Sequence, residues 1–152
     1  MAGRPRKFAT VEELERLINE YFESCYEEVW KEGRDKKTKK TKWEPVLDRH
    51  GNIQKRLAQR PCITGLAVAL DTTRRTLLDY EEGKYDTEDN KYSHTIKKAK
   101  ALCEHYAEQG TINGEIPPGA GIFILKNYGW TDKQEHEITG DAVLQIKKPE
   151  DM

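Results

Sequence analysis

Residues 62–80 read CITGLAVALDTTRRTLLDY, and this stretch decides the fold that we predict for the chain. The small or apolar residues Leu66, Ala67 and Leu70 repeat at helical spacing and predict one face of a first short helix. Ala67 is small, as required where two helices cross closely. A turn is predicted at residues 71–72, and a second helix follows it directly. The pattern indicates a helix-turn-helix unit over residues 62–82.

The second helix of this unit is predicted to start at Thr73, with Leu77 and Tyr80 facing inward. Thr72 or Asp71 is expected to cap it by accepting a hydrogen bond from a free N–H group. Outward-facing residues at its N-terminal end occupy the position from which such units contact DNA. These candidate DNA-binding residues are Thr73, Arg74, Arg75 and Thr76. Helix pairs that bind no DNA share this pattern, so the pattern alone leaves that alternative open.

Elsewhere the sequence predicts mostly helices, which makes the expected fold class mainly α. Thr10 is expected to cap a helix of about six turns, whose apolar stripe runs to Trp30 and forms a core or a subunit seam. A β-hairpin insert is predicted at 43–57, with strands at 43–47 and 53–57. Two further helices are predicted, one from about Ser93 to Gln109, with Gly110 as its stop, and one over 119–128. The domain prediction is a flexible basic tail (1–9), a helical domain (10–136) and a C-terminal β segment with its tail (137–152).

Two further basic segments are candidate DNA contacts. The first is the tail, where Gly3-Arg4-Pro5 resembles the core of a minor-groove AT-hook; its candidate residues are Arg4, Arg6 and Lys7. The second is the Lys-rich run 31–42, which is predicted to be a loop that follows phosphates; its candidate residues are Lys36, Lys37, Lys39 and Lys40. An unstructured solubilising tail and a solvated loop are the structural alternatives.

Composition and charge distribution favour a binding protein over an enzyme. Charged residues make up 35% of the 152 residues, and the formal net charge is −1. Residues 1–76 carry a net charge of +5 and residues 77–152 one of −6, so the basic charge accompanies the predicted helix-turn-helix. The three cysteines are expected to be core thiols in a reducing cytosol. Histidines, cysteines and carboxylates form no pattern typical of a metal, cofactor or catalytic site, so none is predicted. The sequence shows neither a signal peptide nor a membrane span, and no membrane partner is expected.

Residues 121–135, GIFILKNYGWTDKQE, resemble a signature of the small terminase subunits of tailed bacteriophages. The order of the parts is similar as well, and the resemblance covers roughly residues 3–137. Within the signature, Ile122, Phe123 and Leu125 are expected to be core residues that Trp130 covers.

The resemblance implies a non-catalytic DNA-packaging subunit in the host cytoplasm that is not part of the virion. Such a subunit binds double-stranded viral DNA at the packaging start site and recruits and regulates the large terminase subunit, which holds the ATPase and nuclease. It forms a homo-oligomeric ring of about eight to eleven subunits. C-terminal β segments close the neck of that ring. The candidate oligomerisation residues are Tyr21, Tyr26, Trp30, Val143, Leu144 and Ile146. Two alternatives remain open, a dimeric helix-turn-helix transcription regulator and a small nuclease.

Overall fold

The computed structural model describes residues 7–131. Their elements are α1 (Val11–Ser24), β1 (Tyr26–Glu28), β2 (Trp30–Arg34), β3 (Thr41–Pro45), β4 (Lys55–Leu57), α2 (Ile63–Ala69), α3 (Arg74–Glu81), α4 (Tyr92–Ile112) and α5 (Pro118–Lys126). Of these residues, 47% are helical and 14% lie in strands. The fold is therefore mixed α/β, and the prediction of a mainly α chain is wrong. The predicted C-terminal β segment lies outside the described residues.

Three of the helices begin at a side chain that accepts a hydrogen bond from a backbone N–H of the first turn. The accepting side chain and the donating N–H belong to Thr10 and Glu13 for α1, Cys62 and Gly65 for α2, and Thr73 and Thr76 for α3. Thr73 is thus the cap of α3, and the predicted caps Thr72 and Asp71 are wrong. Cys62 is exposed because it serves as a cap, so only Cys25 and Cys103 are the core thiols expected from the sequence.

Helix α1 is shorter than the sequence predicts, because it ends at Ser24 and does not reach Trp30. The carbonyl of Cys25, directly after the helix, accepts hydrogen bonds from the N–H groups of Ala58 and Gln59, at 2.8 and 3.1 Å. β1 then pairs with β4, which returns more than 25 residues later. Strand pairing at this distance in sequence overrides the helical periodicity of the apolar stripe.

The predicted hairpin between strands at 43–47 and 53–57 is wrong, because each strand pairs with an upstream partner. β3 pairs antiparallel with β2, and β4 pairs antiparallel with β1. Only the end of the predicted hairpin forms: Leu47 bridges Ile53, and the Gln54 N–H donates to the Val46 carbonyl at 2.7 Å. The turn beyond it contains Gly51 at φ +81°. The run predicted as a Lys-rich loop is therefore two strands and their connecting turn. We call residues 30–45 the β-arm.

Helices α2 and α3 are joined by a short turn, as the sequence predicts. Asp71 adopts φ +52° in this turn, a conformation that a short polar side chain tolerates. Leu66 and Ala67 are buried on α2, and Leu77 and Tyr80 are buried on α3. These faces join a core that α1 and the first half of α4 complete.

Helix α4 runs through Gly110, which the sequence predicts as its stop, and ends two residues later. A Cβ at Gly110 would lie 2.6 Å from the guanidinium of Arg60 and 2.8 Å from the side chain of Ile116. Gly110 is therefore required by close packing. The chain leaves the helix through Gly114, which has φ +76°.

Helix α5 packs on α4 through Gly121 and Leu125, which are buried. Ile122 and Phe123, which the sequence predicts as core, are 52% and 73% exposed. That prediction is wrong for the described part of the chain, because the only helix that α5 meets extensively covers one side of it.

Candidate nucleic-acid interface

The N-terminal end of α3 presents two arginines beside a threonine cap. Arg74 and Arg75 are exposed in the first turn of the helix. The Thr73 hydroxyl accepts the Thr76 N–H at 3.2 Å and lies 3.1 Å from the Thr76 hydroxyl. Both threonine hydroxyls are therefore engaged in the cap, and the arginines are the groups that can reach a phosphate or a base edge. DNA binding by these four residues stays a prediction.

A small ionic network holds Arg75 along the helix surface. Its Nε lies 3.4 Å from Oδ1 of Asp79, and Nζ of Lys84 donates to the same oxygen at 2.8 Å. The hydrogen bond from Lys84 lowers the pKa of Asp79, and the charge of Arg75 adds to the effect. The Arg75 side chain is 68% exposed. This solvated pair is weak enough for a phosphate to compete with it.

The end of the N-terminal tail is fixed to the helix pair. The Lys7 N–H donates to the Tyr80 hydroxyl at 2.9 Å, and the Lys7 ammonium contacts Asp71, with a carboxylate distance of 3.5 Å. Phe8 is buried, and its carbonyl accepts a hydrogen bond from the Tyr92 hydroxyl at 3.0 Å. The structure thus brings Lys7 next to the turn that precedes α3. Phe8 belongs to the core although the sequence assigns it to the flexible tail. The candidates Arg4 and Arg6 lie outside the described residues.

The remaining basic candidates lie on a separate element, the tip of the β-arm. Lys36, Lys37, Lys39 and Lys40 are all exposed in the turn between β2 and β3. The turn is closed by hydrogen bonds between Asp35 and Lys40 and between Asp35 and the N–H of Lys37. The strands add Lys31, Arg34 and Lys42, which lie within the predicted Lys-rich run but are not among its candidate residues. Their basic charge was visible in the sequence, but their alignment in strands was not, since an exposed arm needs no apolar alternation.

A groove of about 510 Å³ lies against α3. Arg74, Arg75 and Leu78 of this helix line it, together with Ile124 and Tyr128. Leu78 is half-buried there, and burial raises the pKa of Tyr128 to about 12. The apolar residues of the groove are therefore on the inner side of α3, towards α4 and α5.

The candidate oligomerisation residues that the structure describes have different environments. Tyr21 is buried in the chain's own core, where its hydroxyl exchanges hydrogen bonds with the backbone of Cys62. Tyr26 is half-buried, and its hydroxyl lies 2.5 Å from that of Tyr106. Trp30 is exposed on the β-arm. Tyr21 is thus occupied within the subunit. The other three candidates, Val143, Leu144 and Ile146, lie outside the described residues.

Across residues 7–131, no three or more His, Cys, Asp or Glu side chains come together as a metal site. None of the helices described here is long and apolar enough to cross a membrane. The candidate site is thus a set of cations on α3, at Lys7 and on the β-arm, and side chains of this kind are able to neutralise phosphates.

Comparison with known proteins gives two matches. The model of a family described as DNA-packaging protein gp3 matches residues 3–136. Protein p17 of Acyrthosiphon pisum secondary endosymbiont phage 1 is 30% identical over 87 residues, which are 57% of this chain. The match spans 60% of that relative's length.

Proposed function

The chain belongs to the DNA-packaging protein gp3 family, and from this premise we propose that it is the small, non-catalytic subunit of a phage terminase. A role in phage genome packaging follows from the family itself. The proposal adds that the subunit binds double-stranded viral DNA at the packaging start site in the host cytoplasm. It also recruits and regulates the large subunit, which carries the ATPase and the nuclease.

The observation that carries the DNA-binding part is the junction of the tail with α3. Lys7 lies beside the turn, and Arg74 and Arg75 follow immediately on the exposed helix end. A basic segment that joins the helix pair at this point can contact the phosphates of a duplex, beside the DNA groove that α3 would enter. Each subunit then makes only a few phosphate contacts, and a ring multiplies them through a high effective concentration.

Exposed apolar side chains support assembly into an oligomer. Ile112, Ile122 and Phe123 are 67%, 52% and 73% exposed on neighbouring helices. Ile112 and Ile122 line one cavity, and exposed apolar surface of this kind is typical of protein interfaces. Contact with a neighbouring subunit of the proposed ring would remove it from water.

Duplex binding by the double variant Arg74→Ala/Arg75→Ala tests the proposal. We expect the affinity to fall at least about tenfold and the salt dependence to become shallower, since two phosphate contacts are lost. The matched control is Lys97→Ala/Lys98→Ala, which removes two exposed cations from α4. Equal affinities of the two double variants in a fluorescence-anisotropy titration would contradict the role of α3.

Native mass spectrometry separates the packaging subunit from the alternative regulator. A ring of about eight to eleven subunits is expected to have a native mass of about eight to eleven times the chain mass of 17.6 kDa. A dimer that binds a palindromic site would support the transcription regulator.

A further inference from the structure

The β-arm carries two tryptophans on one face of its two-stranded sheet. Trp30 is opposite Pro45, and Trp43 is opposite Glu32, one pair further along. Side chains two residues apart on a strand point to the same face, so Trp30 and Glu32 share a face with their cross-strand partners. The two tryptophans are therefore diagonal neighbours on that face, with Cα atoms about 7–8 Å apart.

Both rings are in solvent, at 45% exposure for Trp30 and 62% for Trp43. The Trp30 indole N–H donates to the Glu28 carboxylate at 3.2 Å, which fixes one edge of the ring. Tryptophan gains more from burial than most side chains, so two exposed rings on one strand pair indicate a binding surface.

The charge around these rings identifies the kind of partner. Residues 30–45 contain seven Lys or Arg and three Asp or Glu, a net charge of +4 in a chain whose total is −1. Of the three acids, Asp35 is bound into the turn and Glu44 lies 3.7 Å from Lys42. The register places Glu32 and Arg34 on the aromatic face, and Lys31 and Lys42 on the opposite face. The carboxylates of Glu32 and of Glu28, which accepts from the Trp30 indole, oppose an anionic ligand, so the excess of cations is in the turn. The arm as a whole thus suits a polyanion that also offers flat apolar groups.

We propose that the β-arm binds single-stranded DNA. Trp30 and Trp43 stack on unpaired bases, and the lysines of the turn neutralise the phosphates that connect them. Proteins that hold single strands combine these two elements, basic side chains along the backbone and aromatic rings under the bases. In an intact duplex the base faces are covered by their neighbours, so the rings gain nothing there. The arm therefore favours DNA that is opened or frayed, which is a different ligand form from the duplex proposed for α3.

The experiment measures the binding of the full chain to a labelled oligodeoxythymidine of about 20 nucleotides, with an intact duplex titrated in parallel. Trp43→Leu retains apolar bulk and loses the aromatic ring, whereas Trp43→Phe retains a ring. We expect Trp43→Leu to weaken single-strand binding about five- to 100-fold and Trp43→Phe to restore most of it. Duplex binding is expected to change less than twofold. Trp130→Leu, at an exposed tryptophan outside the arm, is the control and is expected to bind as the wild type does.

The double variant Trp30→Leu/Trp43→Leu provides the refutation. If it binds the single strand as tightly as the wild type, with an unchanged circular-dichroism spectrum, the stacking role is wrong. A changed native mass with unchanged single-strand affinity also overturns the proposal and assigns the face to a subunit contact. Failure here is distinct from failure of the duplex proposal, because the α3 variant lowers duplex affinity and the arm variant lowers single-strand affinity.

Discussion

Truncating Phe8 to alanine tests whether the start of the chain is part of the core. Phe8 is 1% exposed, and its ring centroid lies 5.4 Å from that of Tyr80 on α3. The variant Phe8→Ala removes the ring and leaves a cavity beside Tyr80 of α3, whose hydroxyl accepts the Lys7 N–H. Large-to-small changes of a buried phenylalanine cost about 3–5 kcal/mol. We expect the free energy of unfolding to fall by this amount, which is a large part of the stability of a small domain.

Urea unfolding followed by circular dichroism measures this loss. Phe8→Leu is the matched control, because it keeps most of the apolar volume and should cost less than about 1.5 kcal/mol. Phe8 directly follows Lys7, which contacts Tyr80 and Asp71, so we expect the duplex affinity of the folded Phe8→Ala variant to decline as well. A loss of stability below about 1 kcal/mol for Phe8→Ala would show that the first residues are a tail without a core role.

Two further predictions concern packing and pH. Gly110→Ala should destabilise the chain by about 1–3 kcal/mol, because the added methyl group would overlap Arg60 and Ile116. Gly119→Ala, in open space on α5, should be neutral or stabilising by up to about 1 kcal/mol. Similar urea midpoints for the two variants would refute this reasoning. The hydrogen bond from Lys84 lowers the pKa of Asp79 in the folded chain. The stabilisation that the ionised Asp79 contributes is therefore complete above the unfolded pKa of about 3.9, and it is lost as the pH falls through the lower folded pKa. Asp79→Asn should therefore lower stability at pH 7 and flatten its decline below about pH 4, and parallel acid-side profiles of variant and wild type would contradict the pairing.

The helix pair and the candidate DNA-binding residues on α3 could be predicted because their signals are local. Leu66 and Leu77 repeat with their neighbours at helical spacing, and Asp71 and Thr73 mark the turn between them. Caps, turns and apolar faces of this kind depend on contacts within a few residues. The sequence therefore determined where α2 and α3 lie and which face of α3 carries Arg74 and Arg75. The signature after Gly121 likewise indicated a phage packaging family, to which the chain belongs.

The β-arm, the end of α1 and the place of Phe8 were decided only by the tertiary structure. Strands β2 and β3 show no alternation because neither face is buried, so the pairing is fixed by backbone hydrogen bonds that carry no side-chain pattern. The Cys25 carbonyl finds its partners more than 30 residues away, and Phe8 finds Tyr80 more than 70 residues away. Periodicity reports which side of an element is apolar. Which distant segment covers that side depends on how the whole chain closes, and that also decided that two tryptophans share one face of the β-arm.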